Sequence, residues 1–426
     1  MQTCKRRLHT VVDGSRARWG RLSRLVSVQA VDERKQRVVF LGTPDVAAIV
    51  LRELLTAAAQ PAAAFEVCAV VSQPGKPRGR GNKSTPLPSP VETLALEAGL
   101  PPAAILCPTT ARDPDFLASL SSLEPDLCVT AAYGNMLPQR FLDLPRLGTL
   151  NIHPSLLPKF RGAAPVQRAV LAGVSETGVS LAYTVLRCDA GPVLAQERVA
   201  VDPEVQAPEL LADLFRRGAL LLLKSLPAVW DGSAQPWQQK EEETTHAAKL
   251  SKEDSPLDFF TCPAAELHNR VRALAGWPGT TARFSLVEES SGATEEVELR
   301  VLRTRAPCRE DLASYSAVNT AFPGLEVVWL PDGDMLVPCQ PLPGLPLGLG
   351  STQHTVQGND LELGAGNSQQ HMVAKGQGQE ASLAPSSVLR VALVQPPTKK
   401  AMPPKSFSNG LRKRRMVITS CGVGQA

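Results

Sequence analysis

Apolar segments alternate with amphipathic ones over residues 38–153, and this alternation restricts the fold more than any other feature of the sequence. Four short apolar segments are predicted to be strands: "VVFL", "FEVCAVVS", "DLCVTAAYG" and "GTLNIH". Helical periodicity lies between them in "VAAIVLRELL", "SPVETLALEAGL" and "DPDFLASLSSL". Strands that are buried on both faces and joined by helices are typical of a parallel sheet. The sequence therefore predicts an α/β domain with a mostly parallel sheet covered by helices.

The pattern changes after Gly173, where two strands follow each other without a helix between them. "TGVSLAYTVL" and "VLAQERVAV" are predicted to extend the sheet in an antiparallel manner. A long helix, "QAPELLADLFRRGALLLLKSL", closes this first domain, which we place at residues 37–228. The polar segment at residues 229–250 is interpreted as a linker, and we place the domain boundary there.

A second domain is predicted at residues 251–426, where one helix is followed by several short strands. That pattern suits a small β-barrel or an open sheet. Residues 340–387 interrupt it with many Gly, Pro and Gln residues and few aromatic or β-branched ones. Such a composition buries little surface, so we interpret the segment as a disordered insertion or as an artefact of gene prediction. The pairing of the strands on either side of it is left open.

The overall composition excludes several classes of protein. Lys and Arg together number 45 and Asp and Glu 41, a net charge of +4 that permits a polyanionic partner without requiring one. The nine cysteines form no CxxC pair, which argues against a zinc site and against a disulfide framework. The longest apolar runs are far shorter than a membrane span, so we expect no insertion into a membrane.

The first 36 residues differ from the rest of the chain. They are rich in arginine and contain serine, and residues 1–30 hold a single acidic residue, Asp13. This is the composition of an organellar transit peptide, which we predict at residues 1–36. The predicted destination is the mitochondrion, with the chloroplast as the alternative. A disordered basic tail is the competing interpretation.

Asn151 and His153 stand at the end of the fourth predicted strand. Side chains two positions apart on a strand share a face, so this pair projects to the same side. Open α/β sheets hold their ligands at the carboxyl ends of their strands. An amide donor beside an imidazole can polarise a carbonyl and stabilise the negative charge that develops on its oxygen. The pair is therefore a candidate catalytic site for chemistry at a carbonyl.

A third residue is needed to fix the tautomer of His153, and Asp189 is the candidate. It lies in "RCDAGP", a predicted turn between two strands of the same domain, where Gly191 allows an unusual backbone angle. The alternative is that Asn151 and His153 only hydrogen-bond a turn and that Asp189 is a turn former.

Other motifs for catalysis or nucleotide binding are missing from the sequence. It contains no serine nucleophile elbow, no cluster of metal ligands and no GxGxxG, and "GTPD" after the first strand is too short for a dinucleotide fingerprint. The segment "RGRGNKS" at residues 78–84 lacks the register of a phosphate-binding loop. We interpret it as a mobile basic loop, with a solvated surface turn as the alternative.

Seven segments resemble the methionyl-tRNA formyltransferases: "RVVFLGTPD", "SQPGKPRGRGNKSTPLPSPV", "AAYGNMLP", "LGTLNIHPSLLPKFRGAAPVQRAVLAG", "TGVSLAYTVLRCDAGPVL", "AAKLSKEDSPLDF" and "VQPPTKKAM". The resemblance covers about residues 37–258, with weaker similarity beyond. "NIHPSLLP" alone is shared with other enzymes that use 10-formyltetrahydrofolate, so it indicates the cofactor more than the acceptor. The longer "SLLPKFRGAAPVQ", the basic loop and the second domain indicate the tRNA enzyme.

The resemblance implies a fold, a reaction and partners. The first domain is expected to be a Rossmann-like formyltransferase domain, and the second a small OB-like β-barrel with a basic surface that binds tRNA. The implied reaction transfers the formyl group of 10-formyltetrahydrofolate, without a metal, to the α-amino group of initiator methionyl-tRNA for organellar translation initiation. A monomer is also expected from the resemblance.

Roles for individual residues follow from the matching positions. The family's catalytic residues match Asn151, His153 and Asp189. The segment that lines the family's folate site matches Ser155, Leu156, Leu157 and Pro158. An arginine that engages the acceptor end of the tRNA matches Arg80 of the basic loop, and Arg78 and Lys83 are expected to bind tRNA beside it.

Basic residues elsewhere are weaker candidates for contact with a polyanion. Arg161, just after the folate segment, is a candidate for a contact with folate or tRNA, with a structural salt bridge as the alternative. The C-terminal tail carries a further basic set: Lys399, Lys400, Lys405, Arg412, Lys413, Arg414 and Arg415. The alternative for this set is a solubilising tail.

Two other functions compete with formylation of tRNA. A 10-formyltetrahydrofolate hydrolase or a formyltransferase for a small amine would use the same cofactor, but would need no basic second domain. A tRNA-binding protein without catalysis would not need the set of Asn151, His153 and Asp189.

Overall fold

The computed structural model describes residues 34–77, 86–318, 325–339, 388–411 and 413–419. The first 33 residues of the predicted transit peptide, the predicted insertion at residues 340–387 and the basic-loop residues Arg78, Arg80 and Lys83 lie outside the described residues. Arg412 lies outside them as well. The chain from Gln36 onward belongs to one compact unit, which contains both of the predicted domains.

The first part of the chain alternates strands and helices as the sequence predicts. The strands are β1 (Gln36–Gly42), β2 (Phe65–Val71), β3 (Lys76–Pro77), β4 (Pro86–Leu87), β5 (Ile105–Leu106), β6 (Leu127–Ala131), β7 (Thr149–His153), β8 (Arg161–Gly162), β9 (Glu176–Tyr183) and β10 (Val193–Ala200). The helices are α1 (Asp45–Ala58), α2 (Pro90–Glu97), α3 (Pro114–Ser122), α4 (Gln139–Leu142), α5 (Pro165–Leu171) and α6 (Ala207–Trp230).

A seven-stranded sheet forms the centre of this part, in the order β10-β9-β7-β6-β1-β2-β5. Five neighbouring strands of this order, β7, β6, β1, β2 and β5, pair in parallel. Strand β9 is antiparallel to β7, and β10 is antiparallel to β9. The predicted fold class, a mostly parallel sheet with an antiparallel extension, is therefore confirmed.

Successive residues of β1 point to opposite faces of the sheet, and both faces are covered. Val38 and Phe40 pack with buried residues of α1 and α6. Val39 and Leu41 pack in a separate cluster with residues of α3 and α4. Full burial of one such side chain contributes about 1.5–3 kcal/mol. The apolar run therefore specifies a central strand between two layers of helices.

Gly218 lets α6 lie close to the strand that carries the candidate site. A Cβ atom at residue 218 would lie 2.4 Å from Cγ2 of Ile152 and 2.9 Å from Cγ2 of Val179. Ile152 lies on β7 between Asn151 and His153. Because neighbouring side chains on a strand point in opposite directions, the helix covers one face of β7 and the two polar residues project from the other.

The second part of the chain is an antiparallel β domain with three helices in the described residues. Its elements, preceded by the connector strand β11 (His246–Ala247), are α7 (Ala264–Ala273), β12 (Thr280–Glu288), β13 (Thr294–Arg305), α8 (Arg309–Ala317), β14 (Val328–Trp329), β15 (Met335–Pro338), β16 (Val388–Gln395), α9 (Pro404–Ser408) and β17 (Arg414–Ile418).

The sheet of this second part curls so that its two edges approach each other. Its strand order is β14-β15-β16-β13-β12-β17. Just before β14, the amide of Val327 donates to the carbonyl of Met416, and the amide of Ile418 donates to the carbonyl of Leu325. An antiparallel half-barrel results, which confirms the predicted class of the second domain.

The residues that flank the predicted insertion lie opposite each other. β15 pairs with β16, and Pro338 at the end of β15 faces Val388 at the start of β16. Cys339, the last described residue before the gap, is buried. Residues 340–387 therefore connect two neighbouring antiparallel strands, and the strand pairing that the sequence left open is intact on both sides.

A buried histidine joins the two parts of the chain. Nε2 of His268, on α7, lies 2.8 Å from the carbonyl oxygen of Pro203, and Nδ1 lies 2.8 Å from Oγ1 of Thr304. A carbonyl only accepts, so Nε2 carries the proton and Nδ1 accepts from the hydroxyl group. Burial lowers the pKa of His268 from its ordinary value. A neutral imidazole therefore sits at this contact.

The predicted linker, here called the connector (residues 229–250), is bound to the first domain along part of its length. Helix α6 extends into it, to Trp230. Strand β11 pairs in parallel with β8. The amide of Arg161 donates to the carbonyl of Thr245 at 2.9 Å. The connector is therefore part of the structure around the loop that follows β7.

Within the described residues, every helix is too short or too polar to cross a lipid bilayer.

Candidate active site

Asn151 and His153 lie at the carboxyl end of β7, between β6 and β9. His153 is buried and Asn151 is half-buried. Their common orientation follows from the period of two along the strand, and their position is the edge where open α/β sheets bind ligands. The structure therefore places the predicted pair on one face at the expected edge.

Asp189 reaches the same place from the loop between β9 and β10. Its Oδ1 atom lies 3.6 Å from Nδ1 of His153 and accepts a long hydrogen bond of 3.5 Å from Nδ2 of Asn151. Its Oδ2 atom accepts a hydrogen bond of 2.9 Å from the amide of Gly162. One carboxylate oxygen thus faces both candidate catalytic side chains, and the other is held by the backbone.

The backbone of Asp189 adopts a left-handed conformation, with φ of 51°. The sequence pattern predicts the unusual backbone angle at Gly191, and this prediction is wrong. Gly191 is required for a different reason: a Cβ atom there would lie 1.7 Å from the carbonyl oxygen of Tyr183. The loop therefore needs glycine for a close approach, and the aspartate itself takes the positive φ, which Asp tolerates better than most residues.

The second ring nitrogen of His153 faces a carbonyl group. Nε2 lies 3.1 Å from the carbonyl oxygen of Phe160, which can only accept, so Nε2 carries a proton in this contact. Phe160 also has a left-handed backbone, with φ of 58°, and its amide donates to Oγ1 of Thr245 at 2.8 Å. The imidazole is thus held between a carboxylate on one side and a backbone carbonyl on the other.

Thr130 is a further member of the site, which the sequence pattern does not predict. It lies on β6 directly beside Asn151, and its Oγ1 donates to Oδ1 of Asn151 at 2.9 Å. The same hydroxyl lies 3.4 Å from the carbonyl oxygen of Leu150. The sequence signal was a buried polar residue at the carboxyl end of the neighbouring strand.

Cys188 also contacts the carboxylate and was not predicted. Its thiol donates to Oδ2 of Asp189 at 3.4 Å. Cys188 is exposed as a residue, but partial desolvation of its sulfur, together with the neighbouring charge of Asp189, raises the pKa of the thiol to about 11. The thiol is therefore protonated near neutral pH and is a weak donor to the carboxylate.

The predicted folate segment forms a loop that is bonded mainly to itself and to β9. Oγ of the buried Ser155 donates to the carbonyl of Lys159 at 2.7 Å, and Oγ of Ser180 donates to the carbonyl of Ser155 at 2.6 Å. Leu157 is buried, and Leu156 and Pro158 are partly exposed. The Ser155 hydroxyl is thus occupied within the loop, while the partly exposed members remain the candidates for contact with a ligand.

Arg161 is folded into the protein and does not face solvent. Its side chain is 3% exposed, with Nη1 3.1 Å from Oε1 of Glu241 and Nη2 2.7 Å from Oε1 of Gln239. The hydrogen bond from Arg161 lowers the pKa of Glu241, and the nearby charge of Arg187 acts in the same direction. Of the two interpretations from the sequence, the structural salt bridge is the one observed.

The base of the basic loop lies at the same edge of the sheet as the candidate site. Strand β3 pairs antiparallel with β4, with Lys76 opposite Leu87, so the two ends of residues 78–85 are held together. Strand β2, after which the loop emerges, runs parallel to β1, β6 and β7. Loops that follow these strands therefore share the edge where Asn151 and His153 lie.

Part of the C-terminal basic set is neutralised by ion pairs. Arg414 pairs with Glu295, and Arg415 pairs with Glu289 and Glu326. Lys399 and Lys400 are exposed after β16. Among the described members of this set, Lys399 and Lys400 therefore keep charge that can meet a polyanion.

A metal site is not formed by the part of the chain that the structure describes: no group of three His, Cys, Asp or Glu side chains there is arranged to hold an ion.

Two protein-family models match the chain. The model for formyl transferase matches residues 36–226, and the model for the formyl transferase C-terminal domain matches residues 249–344. The first match contains every element of the seven-stranded sheet, and the second begins at the end of the connector.

Individual methionyl-tRNA formyltransferases are similar to this chain over more than half of its length. The methionyl-tRNA formyltransferase of Myxococcus xanthus is 44% identical over 248 residues, which cover 58% of this chain and 74% of that protein. The methionyl-tRNA formyltransferase of a Methylobacterium species is 41% identical over 270 residues, which cover 63% of this chain and 81% of that protein.

Solved structures with a similar backbone have lower identity. HypX from Aquifex aeolicus in complex with tetrahydrofolic acid is 14% identical with a TM-score of 0.48, covering 88% of this chain and 47% of that one. Phosphoribosylglycinamide formyltransferase from Anaplasma phagocytophilum is 22% identical with a TM-score of 0.39, covering 50% of this chain and 98% of that one.

Proposed function

The chain belongs to the methionyl-tRNA formyltransferase family, and on that premise we propose how its own residues perform the reaction. The enzyme transfers a formyl group from 10-formyltetrahydrofolate to the α-amino group of methionyl-tRNA. The observation that carries the proposal is the meeting of Asn151, His153 and Asp189, which come from two separate segments, at the carboxyl edge of the sheet.

The donor set fits a formyl carbonyl. Asn151 Nδ2 has two N–H groups, and Asp189 is its one partner among the described residues. Oδ1 of Asn151 accepts from Thr130, and one N–H group of Nδ2 donates to Asp189. The other N–H group is left for an external acceptor such as a carbonyl oxygen. Bound 10-formyltetrahydrofolate supplies the electrophilic formyl carbon.

Asn151 is the residue that stabilises negative charge on the formyl oxygen. A donor that is fixed before the reaction stabilises charge that develops in the transition state, and loss of one such donor typically costs about 3 kcal/mol. Thr130 and Asp189 hold the amide in place from both ends, so little reorganisation is needed when the charge develops.

His153 is the residue that takes up the proton released by the amine. An α-amino group titrates near pH 8, so a substantial neutral fraction attacks without prior activation, and the base is needed afterwards. In the structure Nε2 is engaged by the carbonyl of Phe160. Proton uptake at Nε2 therefore requires that this hydrogen bond be released and that the neutral ring carry its proton on Nδ1, beside Asp189, which then supports the charged ring. When the bond between the formyl carbon and N10 of the folate breaks, the ring returns the proton to that nitrogen.

The basic loop is proposed to bind the acceptor end of initiator tRNA through Arg78, Arg80 and Lys83. The support is the pairing of β3 with β4, which anchors the loop at the edge of the sheet that carries the catalytic residues. Ser155, Leu156, Leu157 and Pro158 are proposed to line the folate site, with the partly exposed Leu156 and Pro158 closest to the ligand.

The direct test of the function is incubation of the purified protein with 10-formyltetrahydrofolate and initiator methionyl-tRNA. We expect formylmethionyl-tRNA to form in proportion to the enzyme, and none with unacylated tRNA. Release of formate at the same rate without tRNA would instead indicate a hydrolase. Binding of tRNA with no formylation would indicate a protein without catalysis.

We propose that the protein acts in the mitochondrion as a monomer. The support for the location is the arginine-rich, acid-poor composition of the first 36 residues. Import of the full chain into isolated mitochondria, with processing of its N-terminus, is the expected result. Import into chloroplasts alone, or into neither organelle, would contradict it. Sedimentation of the processed protein tests the oligomeric state.

A further inference from the structure

The connector between the two domains places Gln239 against the loop that carries Asp189. Nε2 of Gln239 donates to the carbonyl of Asp189 at 2.8 Å and to the carbonyl of Gly191 at 2.7 Å. Its Oε1 accepts from Nε and Nη2 of Arg161 at 3.0 and 2.7 Å. Because carbonyls only accept and a guanidinium only donates, the orientation of the amide is fixed. Both N–H groups and both lone pairs are used.

The loop needs this support because Asp189 is in a left-handed conformation. For a residue with a side chain, such a conformation is strained and persists where the surrounding structure imposes it. The two carbonyls that Gln239 holds belong to Asp189 and to the residue two positions later. They fix the turn on both sides of Ala190, and so fix the direction in which the Asp189 carboxylate points.

The amide oxygen of Gln239 connects it to the loop that follows His153. Arg161, which Gln239 accepts from, directly follows Phe160, whose carbonyl faces Nε2 of His153. Gln239 is therefore bonded to both of the chain segments that meet at the candidate site. It lies outside both of them, in a part of the chain that the sequence predicts to be a linker.

We propose that Gln239 is a positioning residue for formyl transfer, which acts by holding the Asp189 turn in register with His153; this inference rests on the function proposed above. It makes the connector a functional part of the active site. Gln239 touches neither substrate in this role, so its effect is expected on the rate of the chemical step and not on the binding of folate or tRNA.

The variant Gln239→Glu tests this with almost no change in shape. The carboxylate keeps the acceptor for Arg161, removes both donors and places negative charge against two carbonyl oxygens. We expect kcat to fall about tenfold or more, as misplacement of a catalytic group does, with KM for both substrates within about twofold of wild type. The matched control is Gln238→Glu, at the exposed neighbouring position, which should leave kcat unchanged.

A double-mutant cycle with Asp189→Ala separates positioning from a general loss of structure. If Gln239 acts through Asp189, then Gln239→Glu should lower the single-turnover rate by less than about twofold once Asp189 is absent. An equal factor in both backgrounds would overturn the proposal. A fall of more than about 5 °C in the thermal midpoint of Gln239→Glu would indicate a general loss of structure. In that case kcat is measured for the uncharged variant Gln239→Met, and a wild-type kcat there would overturn the proposal.

The wild-type enzyme in the same assay keeps this inference distinct from the proposed function. If wild type forms no formylmethionyl-tRNA, the function fails. If wild type is active and Gln239→Glu matches Gln238→Glu in kcat, the function stands and the role of Gln239 fails.

Discussion

The hydroxyl group of Thr130 donates a 2.9 Å hydrogen bond to Oδ1 of Asn151, across two neighbouring parallel strands. This contact decides which end of the amide faces which partner. With the oxygen turned to Thr130, the nitrogen faces the carboxylate of Asp189 and keeps a donor for the substrate. The sheet therefore orients a catalytic side chain through a residue that itself need not touch the substrate.

Thr130→Val should lower kcat about tenfold, which corresponds to about 1.4 kcal/mol of transition-state stabilisation. Valine has the shape of threonine but no hydroxyl, so the amide of Asn151 loses the donor that orients it. Steady-state formylation of methionyl-tRNA measures the effect. Thr130→Ser keeps the hydroxyl and serves as the control, with kcat close to wild type. A fully active Thr130→Val enzyme would contradict this role.

Alkylation of Cys188 should remain slow until high pH. Only the thiolate reacts, and partial desolvation together with the charge of Asp189 raises the pKa of the exposed Cys188 to about 11. The rate with iodoacetamide, followed by mass spectrometry of the Cys188 peptide, should rise about tenfold per pH unit up to pH 10. Asp189→Asn removes one cause of the shift and should speed the reaction at pH 8.5. A plateau near pH 9 in wild type would refute the prediction.

Stability should decrease as the pH falls below about 6.5, the ordinary range for histidine, because of His268. Its folded-state pKa is lowered, chiefly by burial, so the unfolded chain binds a proton at a pH where the folded chain does not. Stability is therefore complete above that range and is lost towards lower pH, by at most about 1.4 kcal/mol per pH unit for this one group. Urea unfolding at several pH values measures the slope.

His268→Gln is the matched variant for that measurement. Glutamine keeps one donor and one acceptor for Pro203 and Thr304 but does not titrate. The slope of stability against pH between 5 and 6.5 should be smaller in this variant than in wild type. Equal slopes would assign the acid sensitivity to other groups.

Replacement of residues 340–387 by a short Asn-Gly turn should leave the fold and the activity intact. The strands on either side already pair from Met335 with Val391 to Pro338 with Val388, so the ends of the segment need no rearrangement. Shortening the connection reduces the entropy of loop closure and should stabilise by about 3 kcal/mol. Urea unfolding and the formylation assay test this. A less stable or inactive product would show that the segment supports the domain.

Arg80→Ala should reduce tRNA-dependent turnover far more than folate binding. The loss of one phosphate contact should weaken binding of tRNA and make its dependence on salt less steep. Titration of folate by fluorescence and of tRNA at several salt concentrations separates the two effects. Equal loss of both affinities would reject the proposed role of the basic loop. The paired Arg415→Ala is a useful comparison, since its charge is already met by Glu289 and Glu326.

The sequence was sufficient to place most strands and helices of the first domain, together with Asn151 and His153, because these depend on local periodicity. The alternation of apolar strands and helices predicts the parallel sheet, and a spacing of two predicts that Asn151 and His153 share a face. The partners that fix them could not be predicted in this way. Thr130 and Gln239 act through contacts with residues 21 and 50 positions away along the chain.

The connector shows the limit of composition as a guide. Its polar residues resemble those of a flexible linker, yet Gln239 and Glu241 are polar because they bond to Arg161 and to the Asp189 loop. The backbone of Asp189 gives a second example. Glycine is the residue expected at a positive φ, but here two hydrogen bonds from the Gln239 amide hold the aspartate in that conformation. Gly191 is needed because the carbonyl oxygen of Tyr183 lies too close to leave room for a side chain.

Gly162 marks how little space separates the connector from the catalytic carboxylate. Its amide holds Oδ2 of Asp189, its φ is 125°, and a Cβ atom would lie 2.7 Å from the carbonyl oxygen of Ala247 on β11. One residue thus touches the catalytic carboxylate on one side and the strand leading to the second domain on the other. Only a single peptide unit therefore stands between that strand and the carboxylate.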